Sequence, residues 1–224
     1  MIGSAITYWN SRSKNTFKVH NCVSDLRAYD RDHVTKKEKK TQKVQRDRFL
    51  TNEEILQLKD TVKDLDPDLE LYVVLALSTG ARLGAIIDIQ VKDISQNKIT
   101  MIDQKDGNEK YTSYLNPKVQ IFIKDRINTL KVNDFIFKLT KTSLQKRLQR
   151  VLNKLFNKDL EIEDRVNRVV IHTLRHTFAS HLVMNKTPLV IVQKLLNHAE
   201  IETTARYTHL VPDAGEKFVM SLWN

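Results

Sequence analysis

His172-Thr173-Leu174-Arg175-His176 places two histidines and an arginine at i, i+3 and i+4, on one face of a helix. Three groups that can each be cationic repel one another there unless an anion faces them. Downstream, His198-Ala199-Glu200-Ile201-Glu202-Thr203-Thr204-Ala205-Arg206-Tyr207-Thr208-His209 ends on a phenol between histidines, and five of the seven histidines fall between 172 and 209. A tyrosine beside clustered histidines and arginines points to covalent attack on a phosphodiester. The bland alternative is that Tyr207, one of six tyrosines, packs in a core. Zinc is a second alternative, since His172 and His176 are four apart. Zinc hydrolases of that spacing carry glutamate after the first histidine, and here the residue is Thr173. No third ligand is evident, so no metal is expected. His181 and His209 read as hydrogen-bonded structural histidines, and that alternative stays open for His176.

The rest of the chain bounds these options. Its 224 residues suffice for one good-sized domain, and 41% apolar content can build a core. Lysine and arginine total 37 against 27 acidic residues, a formal charge of +10. That excess favours a polyanionic partner, nucleic acid first and an anionic membrane surface second. No apolar run approaches the roughly 20 residues that span a bilayer, and Met1–Asn10 lacks the pattern of a secretory signal. The single cysteine, Cys22, excludes an internal disulfide and a cysteine-based zinc site, and fits a reducing cytoplasm. Residues 1–50 hold 12 basic and 5 acidic residues. The densest part is Lys36, Lys37, Lys39, Lys40, Lys43, Arg46 and Arg48. It reads either as a solvated linker or as a basic strap over phosphates, and both can hold together.

Punctuation along the chain divides it into a basic N-terminal segment, 1–45, and a domain over 46–224. Short helices near Ser4–Trp9 and Val19–Asp30 are weakly indicated. Thr51-Asn52-Glu53-Glu54 is a capping box that opens a helix, with Leu50 and Ile55 placed for a hydrophobic staple. Asp66-Pro67 opens a second helix, which Gly80 ends. A short helix follows over Leu83–Ile87. Lys98–Ile102 and Lys110–Leu115 read as strands around the turn signal Asp106-Gly107. Asn116-Pro117 caps the next helix. Leu144, Leu148, Val151, Leu152 and Leu155 stripe another over Thr142–Phe156. Helices over Thr173–Met184, Pro188–Leu196 (with Thr187 as cap) and Asp213–Trp223 complete a mainly α fold with one small antiparallel hairpin sheet.

In this order the motifs resemble the catalytic domain of tyrosine site-specific recombinases, the phage-integrase and Xer-like family, over roughly 46–224. Ser78-Thr79-Gly80-Ala81-Arg82 is similar to the family's first arginine motif, and Lys105 in Gln104-Lys105-Asp106-Gly107 to its catalytic lysine. His172-Thr173-Leu174-Arg175-His176 matches its His-x-x-Arg-His. Leu196-Asn197-His198 resembles its Leu-Gly-His, with Asn197 in place of glycine. Thr204-x-x-Tyr207-Thr208-His209 matches the nucleophile segment. One departure is Ala85, where the family usually carries an acidic residue three positions after the arginine.

The resemblance implies that Tyr207, Arg82, Lys105, His172, Arg175 and His198 form a catalytic set, with His176 orienting the others. Arg82 and Arg175 suit the clamping of non-bridging phosphate oxygens. A free phenol, with pKa about 10, needs cations and a base, and His172 is the first candidate. Lys105 would protonate the leaving 5′-oxygen, and His198 would donate to the phosphate. No metal or other cofactor is implied, since the cations supply the electrostatic stabilisation. The family also implies double-stranded DNA as partner, a tetramer on synapsed DNA, and a C-terminal segment that docks on a neighbouring protomer. Tyr207 is then expected to depend on assembly, and an isolated chain to hold it away from the other five. A type IB topoisomerase-like relaxing enzyme and a DNA-binding module without turnover are the alternatives. The nine positions from His198 to Tyr207 disfavour the first; Ala85 and a first segment too short for a separate helical DNA-binding domain favour the second.

Overall fold

The computed structural model describes residues 48–103, 109–161, 163–211 and 219–220. The chain divides between Gln45 and Arg46, and every described residue lies in the second unit. In order the elements are α1 (Asn52–Lys63), α2 (Pro67–Thr79), α3 (Leu83–Ile87), β1 (Ile94–Ser95), β2 (Lys98–Asp103), β3 (Glu109–Tyr114), α4 (Pro117–Ile127), α5 (Lys141–Phe156), α6 (Ile171–Met184), α7 (Leu189–Leu196) and α8 (Ile201–Ala205). Single 3₁₀ turns follow α3 at Val91–Asp93 and α8 at Thr208–Leu210. The fold is mainly helical with a small antiparallel sheet in the order β1-β2-β3, as expected from the sequence. The expected helices before residue 46 lie outside the described residues, as does all of the final one except the helical pair Val219 and Met220.

Local chemistry sets the helix ends. Thr51 accepts from the Glu54 backbone N–H at 3.3 Å, and the Glu54 carboxylate accepts from Thr51 N–H at 2.9 Å. Asp66 caps α2 ahead of Pro67, and Gly80 ends it in the left-handed region at φ 64°. Asn116 caps α4 through Val119 N–H. At α7 the expectation fails by one residue. Pro188 itself takes the N-cap position, with no side-chain cap, so Thr187 does not close that end.

α2 is the central element, apolar nearly all round, and packs against α6 and α1. On α5, Leu144, Leu148 and Leu152 face the core fully buried, with Val151 and Leu155 at its margin. On β2 the inward face is Ile99, Met101 and Asp103. Tyr111 and Ser113 stand opposite Met101 and Ile99 on the same face.

Three polar ties fix the position of α6 and its surroundings. Asn157 brackets Val169 just before α6, donating Nδ2–H to its carbonyl and accepting its N–H, both at 2.8 Å. The chain entering α1 is pinned to α6: Leu50 N–H donates to Thr177 Oγ1, and His181 Nε2–H donates to the Leu50 carbonyl at 2.9 Å. Buried Asp68 accepts from the N–H groups of Lys138 and Leu139 and pairs with Arg126, tying that segment to α2. Such a carboxylate is retained in a core only when donors surround it.

Candidate active site

Arg175 is the most buried of the candidate residues, only 3% exposed on the first half of α6. Its Nη1 donates to the Gly80 carbonyl at 2.8 Å and its Nη2 to the Leu196 carbonyl at 2.7 Å. Those carbonyls sit at the C-terminal ends of α2 and α7, where helices carry partial negative charge. A buried guanidinium is thus aimed by two helix ends. Gly80 must be glycine for this. A Cβ there would overlap Phe178 Cδ1 and lie 2.9 Å from Leu196 Cδ2. Asn197 ends α7 at φ 50°, which explains why it can stand where the resembled motif has glycine.

Arg82 is the N-cap residue of α3 and makes no capping bond there. Its side chain turns instead to Asp103 at the end of β2, forming an ion pair in which Arg82 is 23% exposed and Asp103 2%. Tyr111, diagonal to Asp103 on the same face of the hairpin, is buried, and its hydroxyl has no partner among the described residues. Burial raises its phenol above the ordinary range, and the charges of Arg175 and Arg82 oppose that rise.

His198 follows α7, and its Nδ1 lies 2.8 Å from Thr204 Oγ1. Burial above all, then the charges of Arg175, Arg82, His172 and Arg206, push its pKa from 6.5 down to about 3. The imidazole is therefore neutral at physiological pH, and four groups that are or can be cationic surround it. Arg82, His172 and Arg175 also line a common cavity of about 380 Å³ between α2, α5 and α6.

Tyr207 is 5% exposed and packs with Ala179, Val183, Val192 and Leu196. Its hydroxyl lies 2.6 Å from His176 Nδ1. The ring of His176 meets that of His172 edge-on, 4.7 Å between centroids, as their i, i+4 spacing requires. The Arg206 guanidinium lies 5.8 Å above the Tyr207 ring, within cation–π range. The direction of this bond follows the imidazole tautomer: with the ring proton on Nε2, Nδ1 accepts the phenol's hydrogen.

The structure thus brings Arg82, Arg175, His172 and His198 together and sets Tyr207 against His176, the residue expected to orient the others. The short turn after α8 folds Tyr207 back onto α6 of its own chain, against His176. Lys105 lies outside the described residues, as do Lys36, Lys37, Lys39, Lys40, Lys43 and Arg46. Arg48 is described, and its guanidinium pairs with Glu54 and the Phe49 carbonyl. The sequence alone singled out neither Asp103 nor Thr204 nor Arg206. Only Asp103 had a signal: with Ala85 in place of an acid, any carboxylate for Arg82 has to come from another element.

Comparison with known proteins agrees with this fold. The tyrosine recombinase XerA of Saccharolobus solfataricus is 33% identical over 146 residues, covering 64% of this chain and 46% of the relative. The integrase of Escherichia phage 186 is 31% identical over 175 residues, 76% of this chain and 46% of that protein. The chain therefore spans just under half the length of these curated relatives. The solved catalytic domain of bacteriophage HP1 integrase superposes with a TM-score of 0.60 at 26% identity, covering 78% of this chain and 94% of that domain. Residues 48–213, which hold every candidate residue of the described site, match the phage integrase family, and the chain belongs to it.

Proposed function

We propose that this chain is a site-specific DNA recombinase, or integrase, that cuts and rejoins strands through a 3′-phosphotyrosine at Tyr207. The observation that carries the reading is the Tyr207 hydroxyl lying 2.6 Å from His176 Nδ1, beside an arginine-rich cluster that also faces His198. In the reaction the phenol oxygen attacks phosphorus and the bond to the 5′-oxygen breaks. The phenolic proton passes to the histidine pair, His176 by contact and His172 behind it. Arg82 and Arg175 hold the non-bridging oxygens, and neutral His198 donates a hydrogen bond to one of them. Lys105 gives its proton to the departing 5′-oxygen. The phosphotyrosine keeps the bond energy, so a 5′-hydroxyl attacking it rejoins the strand without ATP.

Double-stranded DNA is the substrate, in a cytoplasmic setting, and a tetramer on two synapsed duplexes is the working assembly. Residues 1–45 form a basic segment ahead of the 46–224 catalytic domain, with Lys36, Lys37, Lys39, Lys40, Lys43, Arg46 and Arg48 strapping phosphates. The segment around Val219 and Met220, both exposed, docks on a neighbouring protomer.

A pool of nicked duplexes, in which the cut strand cannot be rejoined, tests the reading. A protein–DNA adduct that survives denaturation and is lost in Tyr207→Phe is the expected result. Retention of DNA with no adduct from any pool would leave a binding module, and relaxation of supercoils without strand exchange a topoisomerase.

A further inference from the structure

We propose that Asp103 is a positioning residue for Arg82: its buried carboxylate fixes the guanidinium edge-on and replaces, from β2, the acidic group that α3 lacks at Ala85. This rests on the reading of Arg82 as a phosphate clamp.

An arginine side chain carries about 2 kcal/mol of rotamer entropy, and Arg82 makes no side-chain capping bond at the start of α3. A clamp that must meet a phosphate in one geometry has to be held from the side. Ala85, one turn further along α3, is 5% exposed and has no polar atom to offer. β2 packs against α3, and its alternation brings Ile99, Met101 and Asp103 to the inner face. Asp103, at 2% exposure, is sequestered from water, and a carboxylate so buried persists only with a charged or multiply donating partner. Arg82 supplies that partner through Nη1.

The charge balance points the same way. His172, Arg175 and Arg206 join Arg82 around His198. Without an anion, mutual repulsion would push the half-buried Arg82 guanidinium towards solvent. A guanidinium carries five N–H donors, so one carboxylate contact at Nη1 does not exhaust its capacity to bind a phosphate oxygen. Asp103 is also the last described residue before positions 104–108, which include Lys105.

A rival role, a plug that fills the phosphate's place until DNA displaces it, predicts the opposite sign. In single-turnover cleavage at saturating DNA, Asp103→Ala is expected to slow adduct formation about 10- to 100-fold, with DNA affinity little changed. In an Arg82→Ala background the same change adds nothing, because the two residues act as one unit. Adding Ala85→Asp to Asp103→Ala restores part of the rate. An unchanged or faster Asp103→Ala enzyme, or a full multiplicative loss on top of Arg82→Ala, would overturn the proposal. Asp103→Asn serves where the alanine variant does not fold. Nuclear magnetic resonance of the Arg82 guanidinium without DNA separates this from failure of the recombinase reading. Distinct, slowly rotating Nη signals in the native protein that average in Asp103→Asn support the pairing even if the native chain forms no adduct. Signals already averaged in the native protein count against it.

Discussion

Replacing Gly80 by alanine tests whether the close approach of α2, α6 and α7 aims Arg175. Two costs follow from the structure. At φ 64° a residue with a Cβ pays about 1–2 kcal/mol relative to glycine. The new methyl also overlaps Phe178 and crowds fully buried Leu196 at 2.9 Å, overpacking that typically costs about 1–3 kcal/mol. The sum is about 2–5 kcal/mol, a fall in Tm on the order of 10 °C for a domain of this size. Urea denaturation of the whole chain measures it. The change also displaces the carbonyl that accepts from Arg175 Nη1, so adduct formation should fall further than the folded fraction does. A loss below about 1 kcal/mol would refute the tight junction. A cleavage rate that merely follows the folded population would refute the link from Gly80 to Arg175.

Two other perturbations have outcomes set by the structure. His198 has a folded pKa of about 3 against 6.5 unfolded, so below 6.5 the unfolded chain binds the extra proton. Its contribution to stability is complete above pH 6.5 and drains away as pH falls towards 3. The urea midpoint should therefore drop between about pH 7.5 and about pH 5, and drop less in His198→Gln; equal slopes in both proteins would contradict the assignment. Asn197 already carries a Cβ in left-handed backbone, so Asn197→Gly should shift stability by only a few tenths of a kcal/mol and Asn197→Ala should cost about 1 kcal/mol. Equal stability of the two variants in thermal melts would count against that conformation.

The parts of this fold that could be read in advance are those whose cause is local. Thr51 and Glu54, Asp66 and Pro67, and Gly80 each act within a few residues, and each lies where its chemistry directs. β1 was not legible, because Ile94 and Ser95 are too short for alternation and are strand only through pairing with Ile99 and Lys98. Pro188 resisted for another reason: proline is favoured at the first helical position, which points to Thr187 as the cap, whereas here it stands one position earlier. In the site, the shared face of His172, Arg175 and His176 followed from helical period alone. Which histidine meets the phenol did not, since that depends on the turn that returns Tyr207 to α6. The pairing of Arg82 with Asp103 spans 21 positions and exists only once β2 lies on α3.

Arg175 joins the carbonyl ends of two helices, and this changes how an inactive variant of it should be interpreted. Substituting it removes the proposed phosphate ligand and also unties α2 from α7, so lost activity there cannot be assigned to chemistry. Tyr207→Phe deletes one oxygen and leaves the ring among its apolar neighbours, which makes it the cleaner knock-out. A lineage that abandoned strand cleavage could discard the phenol freely, yet would be constrained to keep the arginine as a rivet of its architecture. The persistence of that arginine in a relative is thus poor proof of an active enzyme.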